Sequence, residues 1–160
     1  RLESLAGLDA LTRVGQLDIS ENDRLRNLSG LESLKDVDSI ILEYNDKLES
    51  LAVLSNITSM GGMLCIREAE SLPSLAGLEN LETVGHLHIQ GIDKLTSLAG
   101  LERMTSAGRL QIFNNEQLRN LSGLQGLQQS VSDRRDAALR PCDAELLRAH
   151  LHSGRSSRQS

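Results

Sequence analysis

The feature that most constrains this chain is a leucine file that returns at an almost constant interval. Leu2, Leu25, Leu48, Leu72, Leu95 and Leu118 are separated by steps of 23, 23, 24, 23 and 23 residues. Three residues on runs a second file, Leu5, Leu28, Leu51, Leu75, Leu98 and Leu121, and three further on a third, Leu8, Leu31, Leu54, Leu78, Leu101 and Leu124. A fourth is Leu11, Leu34, Ile57, Leu81, Met104 and Leu127, and a fifth is Val14, Val37, Met60, Val84 and Ala107. Each copy then carries an alternating pair: Leu17 with Ile19, Ile40 with Leu42, Leu64 with Ile66, Leu87 with Ile89, Leu110 with Ile112. A fixed period in this range signals a solenoid, in which one unit cannot bury its apolar face alone but stacked units can.

The L-x-I pair has the two-residue period of a strand, so successive copies predict parallel strands stacked about 4.8 Å apart. Leucines spaced strictly by three do not suit a long amphipathic helix, which needs mixed steps of three and four. They predict short extended or 3₁₀ segments turning corners, each sending one leucine inward. Composition agrees, since the chain has no Trp, one Phe and one Tyr. Leucine and isoleucine must then fill the interior, as a core of repeated layers would require.

Two other patterns refine the coil. Ala6-Gly7, Ser29-Gly30, Ala76-Gly77, Ala99-Gly100 and Ser122-Gly123 mark one corner, and copy three alone has Ala52-Val53 there. A small residue and glycine suit a turn with positive φ, so Val53 predicts strain or a modified turn. The single 24-residue step falls at Gly61-Gly62, where an extra glycine can be absorbed. A polar file, Ser4, Asn27, Ser50, Ser74, Ser97 and Asn120, is placed to bond neighbouring backbone along the stack. A second, Asn22, Asn45 and Asn115, would satisfy backbone groups after each strand, with Ala69 and Ile92 replacing it in two copies.

The pattern V-x-x-L-x-I-x-x-N-x-x-L-x-x-L-x-G-L-x-x-L resembles leucine-rich repeats, and more closely the receptor L-domain family. It is most similar to bacterial cell-surface arrays of the L-T-S-L-x-G-L-x-x-L-x-S-V-G-G-x-L-x-I type, with "MGGMLCI" at 60–66 matching the two-glycine form. The resemblance covers residues 2 to about 128 and implies a right-handed, β-rich solenoid. It also implies an extracellular or cell-surface setting and a protein or glycan ligand. "LRPCDAELLRAHL" at 139–151 resembles a closing segment of such proteins, whose cysteine would bond a later one; no cysteine follows Cys142.

The reading is therefore a solenoid of about five 23-residue coils over 1–128, an irregular cap with a short helix over 129–152, and a disordered tail over 153–160. In the cap, 143–152 is the helical stretch, with Leu147 and Leu151 against the last coil. The first coil has no polar cap; its apolar layer calls for upstream residues, a partner domain or end-to-end self-association.

Residues flanking the inward pair would face outward and form a ribbon across the strands. From it Glu43, Arg67, His86, His88, Arg109, Gln111 and Phe113 are the binding candidates, while Ile41, Met63 and Cys65 read as exposed apolar positions. On resemblance, this is the face through which leucine-rich repeat proteins bind. Phe113, near a basic residue, is either a contact for a partner or a cover for the C-terminal edge. His86, His88 and Cys65 share a neighbourhood that zinc would accept, but no fourth ligand accompanies them, and they read as a polar patch. Cys65 and Cys142 are at least three coils apart and read as unpaired.

The acidic file Asp23, Asp46, Glu70, Asp93 and Glu116, beside Arg24, Lys47 and Lys94, reads as a solvated salt-bridge face. With a net charge of −5 and no basic run before the tail at 153–160, nucleic acid is an unsuitable partner. No stretch has the roughly 18 apolar residues of a membrane span. Phosphate-loop, nucleophile-elbow and zincin motifs are absent, so neither an enzyme nor a cofactor site is expected. The expectation is a non-enzymatic recognition module using its strand face; the alternative is a structural spacer or scaffold in a larger surface protein.

Overall fold

The computed structural model describes residues 1–130, and these form a parallel β-solenoid of about four turns. One strand lies in each coil: β1 (Arg13–Ser20), β2 (Asp36–Glu43), β3 (Ser59–Arg67), β4 (Thr83–Gln90), β5 (Ser106–Phe113) and the two-residue β6 (Gln129–Ser130). They make one sheet in the order β1-β2-β3-β4-β5-β6. The register matches the sequence files: Leu17 stands beside Ile40, Ile40 beside Leu64, Leu64 beside Leu87 and Leu87 beside Leu110. The expected strand fold with almost no helix is the observed one. The helix expected over 143–152 and the tail over 153–160 lie outside the described residues.

The leucine files form one continuous interior. In the middle coils Leu25, Leu28, Leu31, Leu34, Leu48, Leu51, Leu54, Leu72, Leu75, Leu78 and Leu81 have no exposed surface. Each buried Leu contributes about 1.5–3 kcal/mol relative to an exposed one. The step of three has a direct cause. Leu31 N–H donates to the Leu28 carbonyl and Leu34 N–H to that of Leu31, and the same pair recurs in every coil, as at Leu78 and Leu81. Two consecutive three-residue turns thus bend the chain and keep each leucine pointing inward. Leu2 and Leu8 in the first coil, and Leu121 in the last, remain exposed at 49%, 39% and 57%.

The corner glycines are dictated by stacking as well as φ. Gly77 has φ +111°, and a Cβ there would lie 2.2 Å from the Leu51 carbonyl oxygen of the preceding coil. In copy three, where valine replaces glycine, the chain forms a one-turn 3₁₀ helix, Ala52–Asn56, and Val53 stays out of the positive-φ region. The modified turn is therefore the outcome, without the strain. The extra residue at Gly61-Gly62 appears as a register shift between Met60 and Met63 against β4.

The polar files hold each corner, with one correction. The hydroxyl or amide oxygens of Ser4, Asn27, Ser50, Ser74, Ser97 and Asn120 accept the N–H two residues on, at 2.9–3.4 Å, so they brace their own coil rather than the next. Sequence reasoning missed a partner file: Asp9, Glu32, Glu79, Glu102 and Gln125 accept the N–H of the corner glycine in each coil that has one. The asparagine file does run between coils. Asn45 donates to the Ile19 carbonyl at 2.7 Å and that of Glu43 at 3.1 Å, and accepts from Asn22 N–H at 3.1 Å. Asn115 repeats this with Ile89, Phe113 and Ile92. Ala69 and Ile92 take the place of asparagine and are fully buried.

Candidate functional site

Alternation along the strands puts every second residue on the sheet face opposite the core. Backbone pairing aligns those residues in rows. One row is Asp18, Ile41, Cys65, His88 and Gln111; another is Ser20, Glu43, Arg67, Gln90 and Phe113; His86 stands between Met63 and Arg109 in a third. All seven candidate residues therefore share one face, across β2 to β5.

The structure does not leave that face uniformly open. At its edges Asp18 and Arg109 are exposed, and Gln111 and Phe113 are half-buried. At its centre Ile41, Met63 and Cys65 form a second apolar cluster, separate from the core, with 3%, 3% and 0% exposure. Glu43, Arg67, His86, His88 and Gln90 are buried as well. The expectation that Ile41, Met63 and Cys65 stand in solvent is thus corrected. Alternation fixes the direction of a side chain, not whether another layer lies over it.

The buried centre is polar and paired. Arg67 Nη1 sits 3.3 Å from Glu43 Oε1, with both side chains under 10% exposed. The Arg67 guanidinium also lies over the Tyr44 ring, 5.8 Å from its centroid. Glu43 Oε1 is 3.4 Å from Cys65 Sγ. His86 Nε2 pairs with Gln111 Oε1 at 2.9 Å and His88 Nε2 with Gln90 Oε1 at 3.2 Å. None of Glu43, Tyr44, Cys65, Arg67, His86, His88 and Arg109 is without a partner. The Phe113 ring packs on His88 with centroids 5.2 Å apart. Cys65 holds no free thiol and is disulfide-bonded, against the expectation from coil spacing. Cys142, the other cysteine of the chain, lies outside the described residues.

Where each strand ends, Glu21, Tyr44, Glu68 and Asn114 adopt left-handed backbone with φ of 48–60°, and Gly91 holds the same place with φ 65°. No sequence signal beyond the scattered Asn and Gly marks this file. Here the Glu68 carboxylate lies over Gly91 of the next coil, 2.6 Å from where a Cβ would stand. Burial, and then the like charges of Asp93, Glu70 and Asp46, raise its pKa above the ordinary 4.5, against the lowering effect of Arg67.

Arg24 bonds Glu3, Arg26 bonds Glu49 and Arg1 bonds Asp23, each joining adjacent coils on an exposed surface. Among the described residues no three His, Cys, Asp or Glu converge to hold a metal, and no helix is long and apolar enough to cross a membrane. Two surface clefts of about 390 and 310 Å³ lie off the ribbon, lined by Glu3, Arg24, Arg26, Asn27 and Lys47 and by Arg1, Glu21, Asp23 and Tyr44.

No protein-family model matches the chain, and neither the curated proteins nor the solved structures returned a match.

Proposed function

We propose that this chain is a non-enzymatic recognition module of the leucine-rich-repeat, receptor L-domain-like kind, working outside the cytoplasm or at the cell surface. It takes a protein or glycan ligand through the β5 end of the strand ribbon. The observation that carries this reading is the juxtaposition of an exposed Arg109 with half-buried Gln111 and Phe113 on one strand, next to a face whose other side chains are already packed. Phe113 is held on His88 and so offers a preformed aromatic surface, and arginine and aromatic groups dominate binding energy at interfaces. Glu43, Arg67, His86 and His88 then support that surface from below rather than touch the ligand. A disulfide-bonded Cys65 favours an oxidising compartment.

The structural-spacer reading is kept because one observation favours it. The centre of the ribbon, from Ile41 to His88, is already buried, as in a scaffold with no ligand to bind. Glycan and extracellular-protein arrays probed with the intact chain test the choice. Hits are then measured again with Arg109→Ala, Gln111→Ala and Phe113→Ala. At least one substitution should weaken a hit tenfold; hits indifferent to all three rule out this face, and no hits at all favour the spacer.

A further inference from the structure

We propose that the edge of the solenoid past the ends of β1 and β2 carries a subsite for an acidic oligosaccharide, with one pyranose ring stacked on Tyr44 and its carboxylate or sulfate groups held by Arg24, Arg26 and Lys47. Tyr44 follows β2, three strands from Arg109 and Phe113 on β5. The subsite stands or falls without them.

Aromatic residues are scarce in this chain, with one Tyr, one Phe and no Trp, and the leucine interior is built without them. Tyr44 keeps 36% of its surface exposed. Its backbone is left-handed, with φ 54°, a conformation that suits a bulky side chain poorly. Gly91 and Asn114 hold the same place in later coils, where they cost less. The Arg67 guanidinium lies over the ring, 5.8 Å from its centroid, and orients it. The ring borders a cleft of about 310 Å³ that Glu21 and Asp23 also line. The negative face of an aromatic ring attracts the C–H groups of a sugar. Sugar hydroxyls donate to the two carboxylates, which an ionised Asp or Glu of an acidic peptide cannot do.

The neighbouring cleft, about 390 Å³, sets Arg24, Arg26 and Lys47 against the single carboxylate of Glu3. Residues 1–130 hold eleven Lys and Arg and eighteen Asp and Glu, so three cations about one cleft run against the charge of the chain. Lys47 is exposed and forms no ion pair among the described residues. Arg24 with Glu3 and Arg26 with Glu49 are exposed pairs; such pairs are worth little and yield to a competing anion. Asp23 lines one cleft and Arg24 the other, so the two adjoin. Each volume is of ligand size, and together they make an open strip across adjacent coils, which suits an extended polymer.

The test titrates the full chain, at physiological ionic strength, with polygalacturonate and heparin oligosaccharides and with neutral dextran as control. Tyr44 is the only tyrosine and there is no tryptophan, so intrinsic fluorescence reads this ring directly. At least one acidic probe should bind and change that emission, and the stronger of the two tells uronate from sulfate. Its Kd should rise about tenfold or more in Tyr44→Ala and in Lys47→Glu, and hold in Tyr44→Phe. Lys94→Glu makes the same charge change in the same file, two coils on and about 10 Å away; screening should keep its effect under about threefold. Thermal melting verifies the fold of each variant, and wild-type fluorescence still decides if Tyr44→Ala does not fold. Failure of both acidic probes to bind, dextran binding as tightly, or an equal loss in Lys94→Glu would overturn the subsite. Binding that leaves the Tyr44 emission unchanged would overturn the stacking.

Discussion

The two faces of the sheet come from alternate residues of the same strands, but they are buried in different ways. The inner face is closed by repetition. Ile40, Leu64 and Leu87 meet their own kind one coil away, and every added coil buries the one before it. The outer face is closed only in its middle, by particular residues that do not repeat: Glu43 with Arg67, His86 with Gln111, His88 with Phe113. The first kind of burial is non-directional and grows with area. The second depends on charge pairing and hydrogen bonds being complete, because a buried polar group left over costs more than a made bond returns.

The largest expected effect breaks the outer face. Arg67→Ala leaves the Glu43 carboxylate buried beside an empty site, and should destabilise the chain by about 4 kcal/mol. The double variant Glu43→Leu/Arg67→Leu should recover most of that loss. Denaturant melts of the single and double variants check it, and equal losses in both would mean that the pair carries no special weight. Next, Leu64→Ala on the inner face should cost about 3 kcal/mol, whereas Leu2→Ala, half exposed in the first coil, should cost well under 1 kcal/mol. Equal values would contradict a core that closes only when coils stack.

A smaller effect separates stacking from backbone strain. Gly7 and Gly77 share positive φ, but a Cβ at Gly7 meets nothing within 4 Å while one at Gly77 meets the Leu51 carbonyl. Gly7→Ala should cost about 1 kcal/mol, from φ alone, and Gly77→Ala clearly more. The smallest effect concerns pH. Glu68 has its pKa raised in the folded chain, mainly by burial, so its ionised form opposes folding. Its burden is therefore present at neutral pH and lifts as pH falls through the folded pKa toward 4.5. Glu68→Gln should raise the melting temperature slightly at pH 7 and leave it unchanged near pH 4; a loss at pH 7 would show that the carboxylate is held by a favourable contact.

How legible each face was follows from how it is built. A repeat writes each inward position several times, so one odd residue such as Ala69 or Ile92 does not hide the file. The polar corner file was equally visible, though its bonds turned out to be local. The outer residues differ from strand to strand, and their rows could be aligned from the period but not their burial. Ile41, Met63 and Cys65 read as exposed for that reason. The left-handed file at Glu21, Tyr44, Glu68 and Asn114 gave little warning, because ordinary residues occupy a conformation usually left to glycine or asparagine.

The sequence by itself determined the coil: its length, its parallel strands, its leucine interior, its asparagine and glycine corners. Local turns and apolar burial depend on spacing, and spacing is a property of the chain. Only the tertiary structure decided which part of the outward ribbon is closed and which open, and that Glu43 and Arg67 share a buried site. Those outcomes depend on what lies over a surface and on distances between coils, which no interval along the chain encodes.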